Sequence, residues 1–171
     1  MKEKELPRVL PRVSEIIAVL QEAMPGDYYL QRGAVLHQAI SLYLQNKLDE
    51  NTIDKRIKGF FDGFKVFIKT MKIQPLFIEK SLKNDILKYT GTIDLYTDKG
   101  ILIDFKTNSI PKSTTAQLGG YTLLLESEGY QVKECWAVCL LDNSFRIEHI
   151  DKEKGKKIFL ACLSIYHFKK E

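Results

Sequence analysis

Two aspartates and a lysine, Asp94, Asp104 and Lys106, flank the triplet Asp98-Lys99-Gly100 in the middle of the chain. A three-residue hairpin loop places two residues in a type I turn and the next in the left-handed region, where glycine is favoured. Gly100 occupies that place. The register that follows pairs Thr97 with Ile101, Leu95 with Ile103 and Asp94 with Asp104. Alternation of side chains along a strand then sets Ile93, Leu95, Ile103 and Phe105 on one apolar face and Asp94, Asp104 and Lys106 on the other. Carboxylates directly opposite on neighbouring strands have Cβ atoms about 5 Å apart and repel each other. Keeping such a pair calls for a shared proton, full solvation or a cation. Hard divalent cations take oxygen ligands from carboxylates, carbonyls and water, and a lysine on the same face adds a positive charge for a substrate or a water. A metal site is the sharper reading. Solvated residues on a sheet edge are the plainer one, since a bare D-x-K triplet is common.

Gln117 and Tyr121 follow at a spacing that puts them on one face of a helix, where an amide and a phenol could hydrogen-bond a phosphate or an attacking water. His37 lies one helical turn beyond Arg32-Gly33. Taken singly, Tyr121 could simply pack, Gln117 could face solvent, and His37 reads as a partly buried hydrogen-bonding residue.

Elements of two kinds must position these groups. Pro7 and Pro11 mark an extended arm, after which Ser14 has the type and place of a helix cap for a helix reaching about Ala23, with Ile16, Ile17 and Leu20 as its stripe. Pro25-Gly26-Asp27 forms a turn, and a second helix is expected over residues 29–45, with Leu36, Ile40 and Leu44 at helical spacing. A third, over residues 51–71, gathers Ile57, Phe60, Phe61, Phe64, Phe67, Ile68 and Met71 on one broad face. The period then changes. Strands are expected over residues 76–82, 86–97 and 101–107, a helix over 114–127, strands over 132–141 and 144–150, and a closing helix over 152–167. This is a mixed α+β (α/β) arrangement with helices against a sheet, expected as one domain over residues 1–171.

Composition bounds the rest. A chain of 171 residues, 44% of them hydrophobic, can enclose a core, so neither disorder nor a disulfide-stapled mini-fold is required. No apolar run approaches the roughly 20 residues that span a bilayer, and the charged, proline-broken start lacks the apolar centre of a signal peptide. Cys135, Cys139 and Cys162 form an odd, sparse set. Cys135 and Cys139 share one face of a strand too far apart to bridge, so buried free thiols are expected in place of a metal or cluster site. A reducing, cytoplasmic setting follows, which the cytosol of a bacterial cell or of a phage-infected host would satisfy. The net charge of +4, from 26 basic and 22 acidic residues, permits nucleic-acid binding without requiring it. Residues 55–72 and 152–170 are rich in lysine, although either could be the solvated face of an ordinary helix.

The ordered set His37, Gly91-x-x-Asp94, Asp104-x-Lys106 and Gln117-x-x-x-Tyr121 resembles the RecB-like and phage-exonuclease branch of the PD-(D/E)XK nuclease superfamily. The resemblance runs from about Pro11 to Leu141 and includes the opening Pro11-Arg-Val-Ser14-Glu-Ile-Ile and the Arg-Gly-x-x-x-His element. It implies a restriction-endonuclease-like αβββαβ core with extra N-terminal helices and a C-terminal helix. It implies a deoxyribonuclease dependent on Mg2+ or Mn2+, with Asp94, Asp104, the Phe105 carbonyl and His37 at the metal. Glu79 is a candidate for a second metal or its water, Lys106 for orienting or activating the attacking water, and Gln117 and Tyr121 for holding substrate or the helix. Arg32 is a candidate phosphate contact, or a surface ion pair. Asp104 stands where glutamate is commoner, and the four cysteines of cluster-bearing relatives are missing, so no iron–sulfur cluster is expected. DNA is the implied partner, single- or double-stranded, with self-association and a recombination or replication partner protein also in view. A DNA exonuclease leads. A structure-dependent endonuclease on the same fold, and a catalytically silent nucleic-acid-binding module, are the alternatives.

Overall fold

Aromatic and aliphatic residues at helical spacing open the chain, and β-branched residues in alternation fill its middle. The computed structural model follows that change of period and describes residues 10–20 and 26–170. Pro7, Ala23 and Pro25, and with them the expected arm, helix end and part of the turn, lie outside these residues. The helices are α1 (Val13–Ile17), α2 (Asp27–Leu44) and α3 (Lys58–Met71); the strands β1 (Pro75–Asn84), β2 (Tyr89–Thr97) and β3 (Ile101–Thr107) follow. After them come α4 (Ser113–Ser127), β4 (Glu134–Leu141), β5 (Ser144–Ile150) and α5 (Lys152–Phe168). The five strands lie in sequence order in one sheet. Neighbours are antiparallel except β3 and β4, which α4 joins as a parallel crossover.

The sheet is covered on both faces. On one, Val13, Ile16 and Ile17 of α1, Leu118 and Leu124 of α4 and Phe159 of α5 pack with Tyr89, Ile93, Tyr96 and Leu102. On the other, Leu36 and Ile40 of α2 and Phe61, Phe64 and Phe67 of α3 pack with Leu95, Ile103, Phe105 and Val138. Phe105 meets Phe64 and Phe67 edge-to-face, at 5.5 and 5.8 Å between ring centroids, the geometry that aromatic quadrupoles favour. Helix α4 lies between sheet and α5. Its glycines set its depth: a Cβ on Gly119 would stand 2.1 Å from the backbone of Gly155 in α5.

The β2–β3 turn takes the expected form, with Gly100 at φ +81° and its amide donating to the Thr97 carbonyl at 3.1 Å. Other expectations need correction. Arg12, and not Ser14, is the residue before α1; Glu15 reaches back to accept from its amide at 3.2 Å, and the helix tightens to a 3-10 turn over Ala18–Leu20. The third helix begins at Lys58, because Asp49 caps a separate 3-10 turn over Glu50–Thr52. Residues 86–88 belong to a turn in which the Asn84 carboxamide oxygen accepts from the amides of Ile86 and Leu87. Cys135, Cys139 and Cys162 are free and buried. Among the described residues no helix is long and apolar enough to cross a membrane.

Candidate active site

The site begins where the sheet parts. Strands β2 and β3 pair at Tyr96–Leu102 and Leu95–Ile103, the expected register, but the ladder does not continue to Asp94 and Asp104. The Asp94 side chain takes over: its Oδ2 accepts from the Phe105 amide at 2.8 Å. A carboxylate thus stands in for a main-chain acceptor, and the two aspartates avoid the direct opposition that their charges disfavour.

Strand β1 adds to this point. Its pairing of Ile78 with Leu95 and of Lys80 with Ile93 brackets Glu79 opposite Asp94. Glu79 has φ +46°, a conformation that costs a residue with a Cβ roughly 1–2 kcal/mol. The side-chain alternation of both strands changes there. Leu82 and Phe77 share one core while Ile78 belongs to the other, and Ile93 and Tyr96 share that first core while Leu95 does not. Ile93 therefore packs toward α4, apart from Leu95, Ile103 and Phe105, contrary to strict alternation. From α2, on the other side, the His37 Nδ1 lies 3.3 Å from Asp94 Oδ1 and 3.8 Å from Glu79 Oε1.

Asp104 and Lys106 occupy the α4 side. Asp104 is 1% exposed, and Lys106 Nζ lies 2.6 Å from its Oδ2. Lys106 also donates to Gln117 Oε1 at 2.9 Å. With its oxygen so engaged, Gln117 presents its NH2 to the Tyr121 hydroxyl, 3.1 Å away. That leaves the phenolic proton free to donate elsewhere. Gly91 explains how Tyr121 comes this close to the sheet: a Cβ there would lie 2.9 Å from the Tyr121 ring and from Leu124.

The charges separate into distinct states. The Asp94 charge, working against burial, holds His37 well above its ordinary 6.5. Burial would raise Asp94, but the His37 imidazolium, then Lys106 and the Phe105 amide, bring it below the usual carboxylate range. Burial raises Asp104, and the Asp94 charge assists, so that Lys106 does not offset the effect. Burial would lower Lys106, but Asp104 and Asp94 outweigh it and keep the ammonium protonated. Burial, then the two aspartates, push the Tyr121 phenol up, so it stays a neutral donor. Neighbouring carboxylates driven apart in this way are a mark of functional sites.

A hard divalent cation suits this donor set. His37, Glu79 and Asp94 each offer one ligand atom, all within 4.8 Å of one another, and Asp104 Oδ1 is buried with no partner among the described residues. Of the residues singled out from sequence, His37, Glu79, Asp94, Asp104, Lys106, Gln117 and Tyr121 thus converge. For Phe105, it is the amide that engages the cluster, through Asp94. Arg32 is placed elsewhere: its guanidinium lies 5.0–5.7 Å from the ring centroids of Tyr28, Tyr29 and Phe60.

Sequence reasoning missed the two grooves beside the cluster. One, of about 600 Å3, is lined by Arg12, Ser14, Lys83, Thr90, Thr92 and Tyr121 among others; the second, of about 330 Å3, runs along α2 from Ala34 to Leu42 with Glu79 as its far wall. Residues from α1, β1 and β2 meet only through the fold, so no local signal foretold the first. The helical spacing of Ala34, His37, Gln38 and Ser41 could have disclosed the second.

No family description and no curated protein matches the chain. Solved structures do. A provisionally named exonuclease from Eubacterium rectale superposes with a TM-score of 0.62 at 10% identity, over 91% of this chain and 77% of that one. LHK-Exo in complex with dAMP, the alkaline exonuclease of Laribacter hongkongensis, superposes with a TM-score of 0.52 at 11% identity, over 94% of this chain and 87% of that one. Likeness at these identities is a likeness of architecture. The chain shares the mixed α/β fold of these two structures.

Proposed function

We propose that this chain is a divalent-metal-dependent nuclease that hydrolyses the phosphodiester bonds of DNA, acting as an exonuclease of phage or bacterial recombination or repair, with residues 1–171 as a single nuclease domain. The observation that carries the reading is the fork between β2 and β3, where His37 and Glu79 on one side and Asp104, Lys106, Gln117 and Tyr121 on the other surround Asp94. The shared fold supports a nuclease, and the dAMP held by LHK-Exo supports DNA as the substrate.

Mg2+ or Mn2+ is the proposed cation, held by His37, Glu79 and Asp94, with Asp104 and the Phe105 carbonyl as further oxygen donors. Such an ion supplies a Lewis acid beside the scissile phosphate and makes water a better nucleophile at neutral pH. Lys106, kept protonated by its carboxylates, acts as a fixed positive charge for the phosphate oxygens and not as a base. Gln117 holds the Lys106 ammonium in place. Tyr121, its oxygen facing the Gln117 amide, directs its proton toward the phosphate chain in the adjoining basic groove. Arg32, stacked on its aromatic neighbours, takes no part at the reacting centre.

Cleavage of labelled linear and closed-circular DNA, with Mg2+, Mn2+ or EDTA, tests this. Linear DNA should disappear only with a metal while circles survive, and Lys106→Ala should lower the rate by roughly 10²–10³-fold, the effect of deleting one stabilising donor. Cut circles would move the assignment to an endonuclease. DNA bound but never cleaved, under any metal, would leave a binding module.

A further inference from the structure

The two grooves flanking the cluster differ in chemistry. The larger carries Arg12 and Lys83 among the hydroxyls of Ser14, Thr90 and Thr92, groups that suit a chain of phosphates. The smaller, among the described residues, is lined by no lysine or arginine. It is lined by Ala34, His37, Gln38, Ser41 and Leu42 of α2, with Glu79 of β1 opposite. His37 and Glu79 are also two of the three groups placed to hold a cation, so anything filling this groove has one end at the metal position.

The rest of that lining is two apolar side chains, one carboxamide and one hydroxyl. Ala34 and Leu42 offer surface to a flat ring. Gln38 is exposed and offers a donor and an acceptor side by side, the pairing that reads the edge of a base. The Ser41 hydroxyl accepts from Gln45 Nε2 at 3.0 Å, which leaves its own proton to donate. The groove's volume of about 330 Å3 lies within the roughly 300–1,000 Å3 common for small-ligand sites.

Resting on the nuclease reading above, we propose that the α2 groove is a nucleoside subsite. It would receive the base and sugar of a nucleotide whose phosphate lies at the His37–Glu79–Asp94 cluster, while the rest of the strand follows the basic groove on the α4 side. Recognition combines an apolar wall for the base, Gln38 at its edge and Ser41 within reach of a sugar or base oxygen.

Calorimetric titration of the full chain in Mg2+ with 2′-deoxyadenosine 5′-monophosphate, and separately with inorganic phosphate, tests the assignment. The nucleotide should bind tighter than phosphate by about tenfold or more, since a base in a fitted pocket contributes at least that much. Ala34→Trp, which fills the groove from an exposed helix position, should erase the margin while phosphate affinity stays the same. Gln38→Ala should narrow it. Equal affinity for the two ligands would overturn the proposal, as would a margin that survives both substitutions or that responds to Lys83→Ala instead. Unchanged thermal melts will show that the exposed variants fold. Failure of the nuclease reading has a separate signature: phosphate binding indifferent to Mg2+ and to Asp94→Asn.

Discussion

The Nδ1 of His37 faces Asp94 and the ring holds its proton well above pH 6.5; the proposed cation would need the lone pair that this proton occupies. Binding must therefore release a proton. Affinity for Mg2+ or Mn2+ should rise with pH by about tenfold per unit while His37 remains protonated, then level off above its raised pKa. Stability has the opposite sign. His37 has a folded value above its unfolded one, so its ion pair with Asp94 contributes fully below about pH 6.5 and is lost as the pH climbs through the folded value. Excess metal should accordingly shift the stability optimum of the protein toward higher pH. Metal titrations between pH 6 and 9 check this; a flat profile, or the same slope in His37→Ala, would remove His37 from the ligand set. That Asp94, Asp104 and Lys106 come together was legible from the turn at Gly100, although the expected pairing of Asp94 with Asp104 does not form. The charge state of each was not, because it depends on burial beneath α4 and on a histidine from α2.

Gly119 lets α5 approach the far side of α4, the helix that carries Gln117 and Tyr121 to the site. Gly119→Ala would put a methyl group against the Gly155 backbone, which two packed helices cannot relieve by a rotamer change. Overpacking of this kind costs about 1–3 kcal/mol, and each kcal/mol should lower Tm by about 2–4 °C in a domain of this size. Gly33→Ala is the control. Among the described residues its methyl meets nothing within 4 Å, and it should leave Tm unchanged or raise it, as alanine is the better helix former by about 1 kcal/mol. Differential scanning calorimetry of the pair separates the two; equal melts would mean that the α4–α5 crossing yields easily and does not position Gln117. Element type and order were readable from apolar periodicity across most of the chain. The lapses have two causes: the cap at Arg12 and the late start of α3 turn on polar contacts two or three residues away that apolar periodicity does not register, and the face of Ile93 depends on a partner distant in sequence. Ile93 is the clearest case, since the backbone of Glu79 on the next strand decides where it points.

The molecule as a whole keeps many acidic protons from water. Burial pushes the Cys135 thiol from its ordinary 9.0 up to about 11 and raises Cys139, Cys162, Tyr89 and Tyr121 as well. All five groups are neutral in folded and unfolded chains below about pH 8. Above that the unfolded chain ionises first, and stability falls as the pH climbs toward the folded values. The urea midpoint should therefore drop steadily between pH 8.5 and about 10.5, with Cys135 alone contributing about 2–3 kcal/mol once both its states are ionised, at about 1.4 kcal/mol per unit. A constant midpoint would mean that water reaches these groups. One backbone angle connects the stability of the whole to its history. Glycine or asparagine would occupy the left-handed position in β1 more comfortably than Glu79, and the proposed use of its carboxylate at a cation offers a reason for glutamate there. In a descendant released from the proposed cutting, mutation would be free to replace it, and the replacement would make a firmer protein. Position 79 would then record, in a single residue, whether a lineage still needed the proposed cation.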